Sequence, residues 1–154
     1  MVKPYAVMLI HPMTVRRHDT LDLIEAILDS CPVSLVKLRT WDMCNTTQTV
    51  LVDITKDTPE PFVRPQQALS HKWVICLFQN RDVLDLNNPY FDLKEVCGPQ
   101  PFEQWQRAHI RMRFSKAPKA PSLKEFDPVL SLIDPKKSKL AAQLLFQNFD
   151  EQDL

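Results

Sequence analysis

Glycine is almost missing from this chain: Gly98 is the only one in 154 residues, against 13 prolines. Loops that cradle a nucleotide's phosphates on backbone N–H groups need several glycines to allow the close approach. A Walker loop and a Rossmann fingerprint are therefore both excluded. Net charge is missing too. Nineteen Lys and Arg balance nineteen Asp and Glu, so no global field draws the chain to nucleic acid or to an anionic membrane. The longest apolar runs hold about half a dozen residues, far short of the ~20 that cross a bilayer. The four cysteines, Cys31, Cys44, Cys76 and Cys97, form no C-x-x-C pair. That argues against a zinc site and for reduced thiols packed as small apolar side chains. No basic stretch leads into a long apolar run at the N-terminus, so no secretory leader is expected and the cytosol is the expected compartment. The sequon Asn45-Thr46-Thr47 carries no meaning there.

What is present suits a soluble globular protein, with 44% apolar and 25% charged residues. The length predicts one domain over residues 1–150 and a frayed tail at 151–154. Pro4 to Ile10 is a continuous apolar run and reads as a central strand covered on both faces. Asp19 or Thr20 caps a helix whose apolar positions recur at Leu21, Ile24, Leu28 and Cys31, and Pro32 stops it. Val33 to Arg39 reads as a second strand and Met43 to Ile54 as a weaker helix. Lys56 to Pro65 holds three prolines and must be a loop. Gln66 to Ser70 reads as a short helix, and Trp73 to Phe78 is the clearest strand. Asn88-Pro89 opens a helix that Gly98 closes. Pro101 starts a short helix carrying Phe102 and Trp105, and His109 to Phe114 alternates like a fourth strand. Ser115 to Pro128 reads as an extended loop. Asp134-Pro135 caps a last helix running to about Phe149, with Leu140, Ala141, Leu144 and Leu145 as its buried stripe. The order predicts an α+β fold: a ferredoxin-like split βαβ, with a four-stranded antiparallel sheet covered by helices.

With these elements in order, the chain resembles a nucleoside diphosphate kinase domain along almost its whole length. Leu9-Ile10-His11-Pro12 with Val15 and Arg16 is similar to that family's I-K-P-D-G-V segment. Lys56-Asp57-Thr58-Pro59 is similar to its K-D-R-P. Cys97-Gly98-Pro99-Gln100-Pro101 resembles its G-P-T-D-P turn. Ile110 to Phe114 resembles the I-R-A-R-F of its divergent ciliary members, and Asp134 to Phe146 resembles its S-D-S helix. The family passes a γ-phosphate through a histidine. The resemblance puts Ser131 at that position, and the loop glycine after it becomes Leu132. The first-strand lysine becomes His11, the K-D-R-P arginine Thr58 and the base-stacking aromatic Glu60. The family's upstream tyrosine falls near Val52 and the G-P-T threonine on Gln100. Two cations remain, Arg111 on the family's I-R arginine and Lys94 near another phosphate-binding arginine. Each lost charged contact removes roughly 1.5–3 kcal/mol, so little nucleotide affinity is expected.

The resemblance thus implies a catalytically inactive kinase-like domain that serves as a protein-interaction or structural module, with no cofactor and no metal. A protein partner is expected, in a cytoskeletal or axonemal setting, without nucleic acid or membrane. The proline-rich loops suit docking onto a protein. The altered loop at Lys56–Pro65 implies a monomer or dimer rather than the family's hexamer. Two other readings stay open. One is a nucleotide-binding sensor that uses His11, Lys94 and Arg111. The other is a working kinase that uses Ser131 or a displaced histidine among His11, His18, His71 and His109. Arg111 and Arg113, alternating with Met112 and Phe114, would share one face of the sheet. Arg111 is either a residual anion site or half of a structural ion pair, for example with Asp134 or Glu103. Lys136, Lys137 and Lys139 sit where a helix dipole disfavours cations, and form either a partner surface or a solvated face.

Overall fold

A computed structural model describes residues 2–64, 72–100, 104, 106–115 and 127–154. Four strands form one antiparallel sheet: β1 (Tyr5–Ile10), β2 (Val33–Asp42), β3 (Lys72–Asn80) and β4 (Val129–Leu132), in the order β2-β3-β1-β4. Among the described residues there are six α-helices: α1 (Pro12–Arg16), α2 (Thr20–Ser30), α3 (Asn45–Thr55), α4 (Tyr90–Cys97), α5 (Ile110–Phe114) and α6 (Ser138–Leu145). The fold is mixed α+β, and its strand order is compatible with a split βαβ sheet.

Every residue of β1 is buried, because the sheet carries helices on both faces and β1 lies inside it. Successive side chains point to opposite faces, so one run of sequence feeds two cores. Ala6, Met8 and Ile10 join Val74, Cys76 and Phe78 beneath α2, α4 and α5. Tyr5, Val7 and Leu9 join Trp73, Ile75 and Leu77 beneath α3 and α6. This double burial explains why β1 and β3 read as unbroken apolar runs rather than alternating ones.

Several elements differ from the sequence reading. His109 to Phe114 is no strand. Ile110–Phe114 forms the short helix α5, capped by His109, and Arg111 and Arg113 do not share a sheet face: Arg111 is buried and Arg113 exposed. Five residues are too few to separate a period of two from one of 3.6. The fourth strand is instead Val129–Leu132, an apolar run just after the expected loop. The buried stripe of α2 is Leu23, Ile24, Ala26 and Ile27, while Leu21 is 73% exposed. The last helix ends at Leu145 after a 3-10 turn at Pro135–Lys137; it buries Ser138, Ala141, Ala142 and Leu145 and leaves Leu140 exposed.

The tail expected to fray forms a 3-10 turn at Glu151–Asp153. Glu151 accepts from Tyr5 Oη at 3.2 Å and pairs with Lys139 at 3.2 Å, and Leu154 packs on the α6-side core. β2 runs three residues further than expected, to Asp42, and α3 occupies Asn45–Thr55. The helix expected at 66–70 lies outside the described residues, as do His71, all but Gln104 of the helix expected at 101–105, and most of the 115–128 loop. No helix among the described residues is long and apolar enough to cross a membrane.

Candidate functional site

The site lies at the edge of β4 and is assembled from four parts of the chain. The first part is the end of β1. His11 N–H and Thr14 Oγ1 both donate to Pro128 O, at 2.9 and 3.3 Å, which fixes Asp127 beside the strand. Asp127 Oδ1 accepts from Val129 N–H at 3.0 Å, an Asx turn that starts β4.

The second part is the loop after α3. The buried Thr55 Oγ1 accepts from Phe62 N–H at 2.8 Å, and Phe62 packs on Trp73 with ring centroids 5.7 Å apart. Glu60 lies between these anchors and is 3% exposed. The third part is Gly98, which closes α4 at φ +87. A Cβ there would lie 2.5 Å from His109 Nδ1, so both the backbone angle and the neighbouring ring require glycine.

The fourth part is α5, which delivers Arg111. Its side chain is 0% exposed. Nε donates to Asp127 Oδ1 at 3.0 Å and to Val129 O at 3.4 Å. Nη1 donates to Gly98 O at 2.6 Å and Glu60 Oε2 at 3.3 Å. Nη2 donates to Glu60 Oε1 and, at 3.1 Å, to Val129 O. A guanidinium has five N–H groups, and these contacts use all of them.

The arrangement closes a strand edge as well as a charge. Among the described residues β4 has no strand neighbour on its outer side. Val129 O accepts from Arg111, Leu130 O accepts from Gln100 Nε2 at 3.3 Å, and Leu132 N–H donates to Glu60 Oε1 at 3.2 Å. Arg111 comes from the helical layer on one face and Glu60 from the layer on the other. Their pair fastens the two layers together around the edge.

Burial would lower the Arg111 pKa, but the Asp127 and Glu60 carboxylates outweigh it and hold the guanidinium above its ordinary value. Burial pushes Asp127 up to about 7, against the pull of Arg111. Its other oxygen, Oδ2, is buried without a hydrogen-bond partner, as suits a carboxyl close to protonation. Cys97 is pushed up to about 12 by burial and is no thiolate nucleophile. Tyr90 is also raised to about 12, first by burial and then by Glu60; its hydroxyl is buried without a partner.

The residues singled out in the sequence do not act together on an open cleft. Ser131 is fully buried in β4, and its Oγ donates to Glu60 O at 3.1 Å. Leu130, Leu132 and Ile133 around it are buried as well. His11 is 8% exposed; its Nδ1 accepts from Met13 N–H at 3.0 Å and caps α1, and burial lowers its pKa to about 4. It is therefore a neutral helix cap at pH 7. Lys94 is exposed, with Nζ 5.9 Å from the Tyr90 ring centroid. It lines an open cavity beside α4 that contains neither Arg111, His11 nor Ser131.

Of the two readings of Arg111, the structural ion pair is the one found, though its partners are Glu60 and Asp127, not Asp134. Glu103 lies outside the described residues. Asp134 caps the 3-10 turn instead, accepting from Lys136 N–H at 2.9 Å. Of the three lysines there, Lys137 pairs with Asp57 at 3.8 Å and Lys139 with Glu151.

Sequence reading missed the roles of Glu60 and Asp127. Asp127-Pro128 ahead of an apolar run repeats the Asp134-Pro135 cap pattern and could have marked a turn. Glu60, between Pro59 and Pro61, carries no local signal. Among the described residues, no three His, Cys, Asp or Glu side chains group to hold a metal ion. No protein-family model and no curated protein matches the chain.

Proposed function

We propose that this chain is a catalytically inactive nucleoside diphosphate kinase-like domain that works as a protein-interaction or structural module. The observation that carries the reading is the saturated Arg111. Its donors all face inward, onto Glu60, Asp127 and two carbonyls. A phosphate would have to displace a buried carboxylate to be gripped. Charged hydrogen bonds of this kind contribute roughly 1.5–3 kcal/mol each, so the exchange is unfavourable.

Ser131 supports the same reading. At the position the resemblance gives to the phosphate-accepting histidine, its hydroxyl is buried and bonded to a main-chain carbonyl. Its hydroxyl proton is given to that carbonyl rather than to an imidazole, the base a serine nucleophile requires. The nearby His11 spends Nδ1 on a helix cap. A monomer or dimer in a cytoskeletal or axonemal setting belongs to the proposal on the strength of the resemblance.

The test is phosphoenzyme trapping. The protein is incubated with γ-labelled ATP and magnesium, quenched in base and in acid, and mapped by mass spectrometry. No stoichiometric label is expected. Label on Ser131 or on any of the four histidines would overturn the reading and favour a working kinase.

A further inference from the structure

Helix α4 has a groove on each side. One, of about 370 Å³, is lined by Cys31, Pro32, Asp92, Glu95, Val96 and His109 among others. The second, of about 340 Å³, is lined by Phe91, Lys94, Glu95, Gly98, Pro99 and His109. Glu95 and His109 line both, so the two grooves adjoin and together make a trough along α4. Pro32 and Val96 give the first groove its apolar side, and Phe91 and Pro99 the second. Phe91, at its rim, is 65% exposed.

The rim is acidic. Neither Asp92 nor Glu95 has an ion-pair partner among the described residues. The neighbouring elements share the bias. Residues 20–32, 81–98 and 106–109 hold Asp22, Glu25, Asp29, Asp82, Asp85, Asp92 and Glu95 against Arg81, Lys94 and Arg107, seven acids to three bases in a chain whose formal net charge is zero. Arg81 is turned away, donating to Leu28 O at 2.9 Å. The loop before α4 adds exposed Val83, Leu84 and Leu86. Apolar groove sides beside unpaired carboxylates are complementary to a segment that carries both cations and apolar side chains.

We propose that the trough around α4 is the docking site for a basic, apolar-anchored segment of a partner protein, with Asp92 and Glu95 taking Lys or Arg, and Val96 in one groove and Phe91 in the other each taking an apolar side chain. The proposal rests on the reading of the domain as an interaction module and gives that module a surface and a partner chemistry. Arg111 itself lines neither groove, although Gly98, whose carbonyl it bonds, lines the second.

The test titrates the full chain, labelled with 15N, with a short peptide of alternating Arg and Leu, and with its Glu–Leu counterpart. Backbone amide shifts and fluorescence anisotropy are read at low and at high salt. Saturable shifts are expected at 30–32, 91–99 and 106–109 with the basic peptide alone, weakened by salt. The double variant Asp92→Asn/Glu95→Gln should weaken binding about tenfold. Phe91→Ser should weaken it further, while Asp42→Asn/Asp53→Asn, which removes the same charge elsewhere, should not.

Shifts spread evenly over the acidic surface, equal affinity of the two double variants, equal affinity for spermine, or no saturable shift would each overturn the proposal. So would concentration-dependent self-association that the trough variants abolish, because the occupant would then be a second copy. Titrating the same sample with ATP keeps the two claims apart. Shifts around Arg111 would overturn the inactive-kinase reading and leave the trough result standing.

Discussion

The two edges of the sheet solve one problem in opposite ways. A strand edge presents unpaired N–H and C=O groups that invite another chain to pair with it. β4 is four residues long, and its outer groups are bonded by Gln100, Arg111 and Glu60. β2 is ten residues long and has no outer strand neighbour among the described residues; Arg81 Nη2 reaches Val33 O at its start, at 3.5 Å. Its protection is a register shift between Leu35 and Lys37, with Lys37 and Arg39 further along, and it leaves Val36 and Leu38 exposed. A bulge and flanking cations discourage pairing without closing the edge. The difference shows where this chain has committed its charge. At β4 Arg111 and Glu60 are buried, with Asp127 half-buried beside them, and lock the two helical layers together. At β2 the cations Lys37 and Arg39 are half-buried, and Arg39 donates to Leu145 O at 2.7 Å.

Breaking the lock should have the largest effect. Arg111→Met leaves the buried Glu60 and half-buried Asp127 without their counter-ion, a loss of about 3–5 kcal/mol. At roughly 2–4 °C per kcal/mol for a domain of this size, the melting temperature should fall by about 6–20 °C in a circular dichroism scan, or the protein should fail to fold. A change within a degree or two would mean that the buried lock does not hold the layers.

Gly98→Ala should come next. It forces a side chain into positive φ, where the added Cβ also meets the His109 ring. A loss of about 1–3 kcal/mol is expected by urea denaturation, with the midpoint shifted and the slope unchanged.

Asp127→Asn sharpens the comparison through pH. The native Asp127 keeps its proton up to about pH 7, whereas the unfolded chain loses it near 4. Over that window the native state binds more protons, so this group's contribution to stability falls as pH rises from about 4 to about 7. Asn retains an oxygen for Val129 N–H and Arg111 Nε and removes the titration. The variant should therefore gain on the parent as pH rises through that range and run parallel above it. A parallel offset at every pH would contradict the assignment.

His11 tilts the other way. Its pKa is lowered to about 4, so the unfolded chain binds a proton between about 6.5 and 4 that the native state refuses, and stability is lost on acidification. His11→Asn, which keeps a cap acceptor, should remove that acid sensitivity. Smallest of all, Val36→Lys on the open β2 edge should change stability by less than about 0.5 kcal/mol.

The sequence made legible those parts whose signals are local. β1 and β3 show as apolar runs because both their faces are covered. The N-terminus of α4 shows because Asn88 Oδ1 accepts from Tyr90 N–H at 2.9 Å, and its end shows because Gly98 is needed at positive φ. The α5–β4 region was misread for a reason that is also local. Ile110 to Phe114 alternates apolar with charged residues, yet Ile110 and Arg111 are adjacent and both buried, which a half-exposed strand does not do. An arginine with no exposed surface cannot be inferred from its neighbours. Its partner Glu60 lies 51 residues away in a proline-flanked loop, and only the closed sheet brings the two together. The resemblance singled out Ser131 and Glu60, which the structure brings together through Ser131 Oγ and Glu60 O, but the ion pair of Glu60 carried no signal in the sequence.

The central claim is that the anion grip of Arg111 is satisfied from within. Thermal unfolding with ATP, GTP and ADP, each with magnesium at millimolar concentration, tests it most directly. A ligand present at a hundred times its dissociation constant stabilises a fold by about 2.7 kcal/mol, enough to move the melting temperature by several degrees. No nucleotide-dependent rise is predicted. A saturable rise with a midpoint in the micromolar range, matched by loss of the contacts from Arg111 to Glu60, would contradict it.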